Sequence, residues 1–97
     1  MKYKVIIEQT AYSQIIECLV FVKKVSIDAA NNLYVLIMDS IKSLEEYPYR
    51  YPVDSRYNVA NQEERKMVIG NGRYIVLYAI EKNNVFVEYF KDARRKS

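Results

Sequence analysis

Between Arg65 and Asp92 the sequence reads RKMVIGNGRYIVLYAIEKNNVFVEYFKD, three runs of alternating character separated by Gly70-Asn71-Gly72 and by Asn83-Asn84. A period of two sends successive side chains to opposite faces of a strand, and Gly and Asn tolerate the positive φ of a tight hairpin. The stretch is therefore expected to form a three-stranded antiparallel meander. No other feature restricts the fold as strongly, because a sheet with one apolar face must find a layer to cover it.

The first half supplies that layer. YKVIIE, Tyr3 to Glu8, alternates and reads as a further strand. Thr10 is expected to cap a helix in which Ala11, Ile15, Cys18, Leu19 and Val22 recur at helical spacing, with Lys23 and Lys24 suiting its C-terminal end. Ile16, Val20 and Phe21 widen its apolar surface beyond a stripe, so coverage on more than one side is expected. Ser26 opens a second helix with Asp28 in its first turn and a stripe of Ala30, Leu33, Ile37, Ile41 and Leu44. A connection of about two residues predicts an antiparallel hairpin of helices. Pro48 and Pro52, in YPYRYP, end it, and residues 48–62 read as surface loop. The expected fold is α+β in the order β-α-α-β-β-β, one domain over residues 1–97 with the helical hairpin packed on a small, mainly antiparallel sheet.

Composition narrows the chemistry. With 51% hydrophobic and 28% charged residues the chain is globular rather than disordered. It contains no histidine, which excludes Ser-His-Asp and Cys-His nucleophile systems and any His-containing zinc site. Acid–base work is left to Asp, Glu, Lys, Arg and Tyr. Cys18 is the single cysteine, so no internal disulfide forms, and its place in an apolar helix reads as inert core. No apolar stretch reaches the length of a membrane span, and the run after Met1 is too short for a signal peptide. A cytoplasmic protein without membrane association is expected. Residues 1–60 hold seven basic and seven acidic side chains, whereas residues 61–97 hold eight and five, so the whole net charge of +3 lies in the last part. Such a bias speaks to partners, unless it is only a solvated edge.

The order of elements, the Leu44-x-x-x-Pro48 exit, the Arg73-Tyr74-x-Val76-x-Tyr78 run, the Asn-type hairpin and the Asp92-x-Arg94 ending together resemble the RelE/ParE toxin superfamily. The similarity runs over nearly the whole chain. It implies a toxin of a type II toxin–antitoxin pair, of the kind also described as plasmid stabilisation proteins, that inhibits growth and is neutralised by a cognate antitoxin protein. RelE-like members cleave messenger RNA in the ribosomal A site, and ParE-like members poison DNA gyrase. No cofactor and no metal are implied.

Cleavage of RNA by attack of the 2′-hydroxyl requires a base, cations for the phosphorane and an acid for the leaving oxygen. Arg65, Lys66, Arg73 and Arg94 are the candidate catalytic groups, able to approach one face if the strands are ordered as in the superfamily. The competing reading makes them wet charges at strand ends. Arg50, Arg56, Tyr89, Arg95 and Lys96 are candidates for contact with a nucleic acid or other target. Tyr89 alternates with Val85 and Val87 and so also reads as a sheet-face residue. The tyrosines of YPYRYPVDSRY serve stacking, protein contact or simple packing on the helices.

Two departures separate the chain from nuclease members of the superfamily. The second helix offers only Lys42 where such enzymes carry several lysines, and Tyr89 is the last aromatic alcohol. These gaps favour a ParE-like target, DNA gyrase, over ribosome-dependent mRNA endonuclease activity. A non-catalytic binding module on the same fold is the reading from another class.

Overall fold

The computed structural model describes residues 2–57 and 63–94. Along the chain run β1 (Lys4–Ile7), α1 (Gln9–Lys23), α2 (Ile27–Lys42), β2 (Arg65–Ile69), β3 (Tyr74–Glu81) and β4 (Asn84–Asp92), with 3-10 turns at Ser43–Glu45 and Ser55–Tyr57. The order is β-α-α-β-β-β, and the architecture is α+β, as the alternating and helical periods predict. One sheet holds all four strands in the order β1-β4-β3-β2. Strands β2, β3 and β4 form the antiparallel meander, while β1 joins β4 in parallel, Val5 beside Val85 and Ile7 beside Val87.

Both helices lie on one face, α1 over β4 and α2 over β2. Ile15, Ile37, Leu44, Met67, Val76, Tyr78, Val85 and Val87 meet there as the core. Burial at this face is worth about 1.5–3 kcal/mol for each large aliphatic side chain, the main favourable term available to so small a domain. Ser26 caps α2, its Oγ accepting from the Ala29 N–H at 3.1 Å. Thr10 does not cap α1. The cap position falls on Glu8, whose side chain makes no capping bond. The Glu8 N–H donates to the Val87 carbonyl at 2.9 Å, so strand pairing continues to the residue at which the helix begins. Thr10 is already inside the first turn.

Gly70, Asn71 and Gly72 all take positive φ, as the first turn requires. At Gly70 a Cβ would lie 3.0 Å from the Tyr74 ring, so space as well as conformation demands glycine. The second turn sits one residue earlier than Asn83-Asn84. Asn84 already pairs with Glu81, and the positive φ falls on Lys82. Apolar faces fix strand register, and here they override the local preference for Asn in the turn.

A bulge interrupts the β3–β4 pairing. Tyr78 faces Val87, but Leu77 faces Tyr89, which leaves Glu88 as the extra residue. Val85, Val87 and Phe90 therefore belong to the core while Tyr89 turns to the other face, against the simple alternation that grouped it with the valines. Where β1 ends, Gln14 of α1 takes its place, its Oε1 accepting from the Phe90 N–H at 2.8 Å.

The YPYRYP segment is clamped rather than loose. Pro48 is buried, and its carbonyl accepts from the Tyr78 hydroxyl at 2.6 Å. Tyr51 packs against the core, but Tyr47 and Tyr49 are exposed, so packing of the rings on the helices is not the general rule there. Coverage of α1 on a second side is also absent among the described residues: Ile16, Val20 and Phe21 are exposed.

Candidate functional site: the open face of the sheet

Alternation that turns Met67, Val76 and Val87 toward the helices turns their neighbours the other way. Lys66 and Val68 of β2, Ile75, Leu77 and Ala79 of β3, and Phe86, Tyr89 and Lys91 of β4 share this second face. Among the described residues no helix covers it, yet Leu77 and Ala79 are almost fully buried. In register, Lys66 and Tyr89 flank Leu77, and Phe86 flanks Ala79. The long side chains shield the small apolar floor and keep their polar ends in water.

The segment before β2 folds along the edge of this face. Val53 bridges Arg65, the Asp54 N–H donates to the Glu64 carbonyl at 2.8 Å, and the Lys66 N–H donates to the Pro52 carbonyl at 3.0 Å. Asp54 then gathers cations. Arg56 donates Nε–H to Oδ1 at 3.0 Å and Nη2–H to Oδ2 at 2.7 Å, and Lys66 Nζ stands 3.9 Å away. The hydrogen bond from Arg56 holds the Asp54 carboxyl down at about 2, and Asp54 in turn raises the Arg56 guanidinium. The Tyr57 ring lies 5.1 Å from the Lys91 ammonium, which ties the segment to β4.

The two ends of the face differ in charge. At one end Arg73 stands 3.9 Å from Asp92 and 5.4 Å from the Tyr74 ring, while the Arg94 N–H donates to Asp92 Oδ1 at 3.0 Å and its side chain is exposed. At the other end Glu64, directly before β2, is 0% exposed and interacts with Glu88, the bulge residue. Burial first, then the neighbouring Glu88 carboxyl and the charge of Glu8, push Glu64 up to about 8. Glu88 is also raised, chiefly by burial. Both carboxyl groups are thus held above the usual carboxylate range, and they titrate as a pair rather than singly.

The candidate catalytic cations do not form one cluster. Arg65 and Lys66 are consecutive and so point to opposite faces. Arg65 donates to the Tyr51 carbonyl at 2.6 Å and the Tyr49 carbonyl at 3.4 Å, with its guanidinium 5.0 Å from the Tyr49 ring, and Lys66 faces the open side. Arg65 pairs with Tyr78, and Arg73 adjoins Tyr74, so roughly 17 Å of strand separates them. Arg73 and Arg94 are brought together, beside Asp92. Arg50 is exposed above the Tyr51 ring at 5.6 Å, Arg56 is held by Asp54, and Tyr89 is half-buried on the open face. Arg95 and Lys96 lie outside the described residues. Sequence reasoning singled out Tyr57 only among the tyrosines of YPYRYPVDSRY, and it did not single out Lys91 or the Glu64–Glu88 pair. Lys91 could have been found from its alternation with Tyr89 beyond the bulge, but nothing local announces the carboxyl pair, whose members lie on strands that are not adjacent.

Among the described residues no group of three or more His, Cys, Asp or Glu side chains is arranged to hold a metal ion, and no helix is long and apolar enough to cross a membrane. No protein-family model matches the chain, and no curated protein matches it in sequence. A solved structure does match in fold: a chain of the chromosomal ParDE TA system from P. aeruginosa, with a TM-score of 0.71 and 10% sequence identity, over 94% of this chain and 96% of that one. At that identity the similarity is one of fold, a helical hairpin on a four-stranded mixed sheet.

Proposed function

We propose that this chain is the toxin of a type II toxin–antitoxin module, a cytoplasmic growth inhibitor neutralised by a cognate antitoxin protein. The observation that carries the proposal is the near full-length correspondence of fold with a chain of a ParDE TA system. The motifs of Arg73 to Tyr78 and Asp92 to Arg94 support it independently. Of the two targets known for the superfamily, the site favours a ParE-like one, DNA gyrase. A phosphate-cleaving centre needs several uncommitted cations around one point. Here Arg65 is committed to loop carbonyls, Arg73 stands beside Asp92, and the other end of the open face holds a buried pair of carboxyl groups. That arrangement suits recognition of a protein surface better than cleavage of RNA.

Ribosome-dependent mRNA cleavage is the second reading, and one observation favours it. Lys66, Lys91, Tyr57 and Tyr89 line the open face, a set able to stack on bases and neutralise phosphates. Induced expression with and without the neighbouring open reading frame tests the toxin itself. Arrested growth, relieved by the neighbour, is expected; unchanged growth removes both toxin readings and leaves a binding module. Given arrest, inhibition of gyrase supercoiling with intact messenger RNA is expected, and cleavage within codons in a primer-extension assay during in vitro translation reverses the choice of target. Arg94→Ala, at an exposed position, is expected to weaken growth arrest with the thermal unfolding midpoint unchanged, and full toxicity would remove Arg94 from the target surface.

A further inference from the structure

The outer side of α1 carries a pattern that the function above does not use. Glu17, Val20, Phe21 and Lys24 recur at helical spacing i, i+3, i+4 and i+7 and so stand along one side. Val20 is 52% exposed and Phe21 49%, with Ile16 beside them at 41%. Glu17 and Lys24 are exposed too, and neither makes an ion pair within the chain among the described residues. Next to this stripe a shallow groove runs between the helices, lined by Ile16, Leu19, Val20, Ala30 and Tyr34 together with the polar Lys23 and Asn31. Single exposed apolar residues need no explanation, but a contiguous patch of this kind marks an interaction surface.

The order of the stripe says what covers it. An acid lies one turn before the apolar centre and a base one turn after, so the pattern is its own complement when reversed. About a two-fold axis through the midpoint between Val20 and Phe21, Glu17 lies about 5 Å to one side and Lys24 about 5 Å to the other. An antiparallel second copy sets each Glu17 beside the other copy's Lys24, and Val20 and Phe21 of both copies meet in the middle. A parallel copy would set Glu17 against Glu17 and Lys24 against Lys24. We infer that α1 is the interface of an isologous homodimer, packed antiparallel through Val20 and Phe21 and set in register by two Glu17–Lys24 pairs. Such an interface closes on itself and leaves the open face of the sheet unoccupied. It does not depend on the toxin reading, although an antitoxin covering the helical hairpin would compete for the same surface.

Sedimentation velocity on the purified full-length chain across a range of concentrations tests the inference. Wild type is expected to dimerise reversibly. Glu17→Lys and Lys24→Glu, each replacing two attractive contacts by two repulsive ones per dimer, are expected to raise the dissociation constant about tenfold, less at high salt. Glu17→Lys combined with Lys24→Glu rebuilds both pairs with the signs exchanged and is expected to restore most of the wild-type affinity. All three changes lie at exposed positions, and circular dichroism verifies that helix content is kept. A wild-type chain that stays monomeric, single reversals without effect, or a double variant weaker than either single one overturns the inference.

Discussion

On the face beneath the helices Met67, Val76, Val85 and Val87 are fully buried and carry no charge; on the opposite face of the same strands stand Lys66, Lys91, Tyr89 and the Glu64–Glu88 pair. The first face is ordered by shape and the second by charge. Neutral side chains close-packed under two helices give the domain its stability, and substitution there is felt through the whole fold. The open face keeps its floor of Leu77 and Ala79 small and dry while its rim stays polar, an arrangement that can change its residues without losing the sheet. One feature crosses this division: Glu64 is as buried as the core, but it lies on the charged side.

Three measurements bear on that contrast. Ile37→Ala, at a fully buried position of α2, removes packing from the covered face and is expected to cost about 3 kcal/mol of unfolding free energy in urea titrations. A cost below 1 kcal/mol would mean that the helices carry less of the fold than their burial implies. Next in size is the pH response of Glu64. Its carboxyl is raised by folding, so the native state binds an extra proton between the ordinary carboxylate range and about 8. Stability from that proton is fully present at low pH and is lost as pH rises through about 8, with a slope of at most about 1.4 kcal/mol per pH unit. Glu64→Gln, which mimics the neutral acid, is expected to match wild type near pH 4 and to exceed it by a growing margin up to pH 8.5. Parallel stability profiles would place the proton elsewhere. Smallest of the three, Lys91→Ala is expected to change stability by less than about 0.5 kcal/mol, because exposed charges at such sites contribute little. If it destabilises by more than about 1 kcal/mol, the Tyr57–Lys91 contact holds the segment before β2 in place, and the open face is less independent than described.

Most of the architecture follows from periodicity that can be read locally. The alternating runs gave β2, β3 and β4, the stripe from Ala30 to Leu44 gave α2, and Ser26 supplied a cap whose bond is present. What could not be read depends on residues far apart in the chain. Whether Thr10 caps α1 is decided by the bond from Glu8 to Val87, and the turn at Lys82-Asn83 is decided by the register of two apolar faces. The bulge at Glu88 has no sequence signature, yet it reverses the face of Tyr89 and brings Glu88 to Glu64. The motifs that carried the family resemblance prove mostly architectural. Tyr74, Val76 and Tyr78 are core residues, Arg73 answers Asp92, and Asp92 accepts the Arg94 N–H in a local turn. They identify a fold more directly than a chemistry, which is why the open-face groups were harder to see.

The parallel pairing of β1 with β4 has a consequence for how the protein comes into being. Lys4 lies beside Asn84, so among the described residues the first strand finds its neighbour in the sheet about eighty positions later. At a synthesis rate of 5–20 residues per second that is a wait of roughly 4–16 s, during which the amphipathic helices exist without a sheet to cover. β4 is also the strand that separates β1 from β3, so a chain interrupted before it leaves β1 with no place in the sheet. Closure of the sheet therefore waits for β4, the strand through which β1 is joined to β3 and β2.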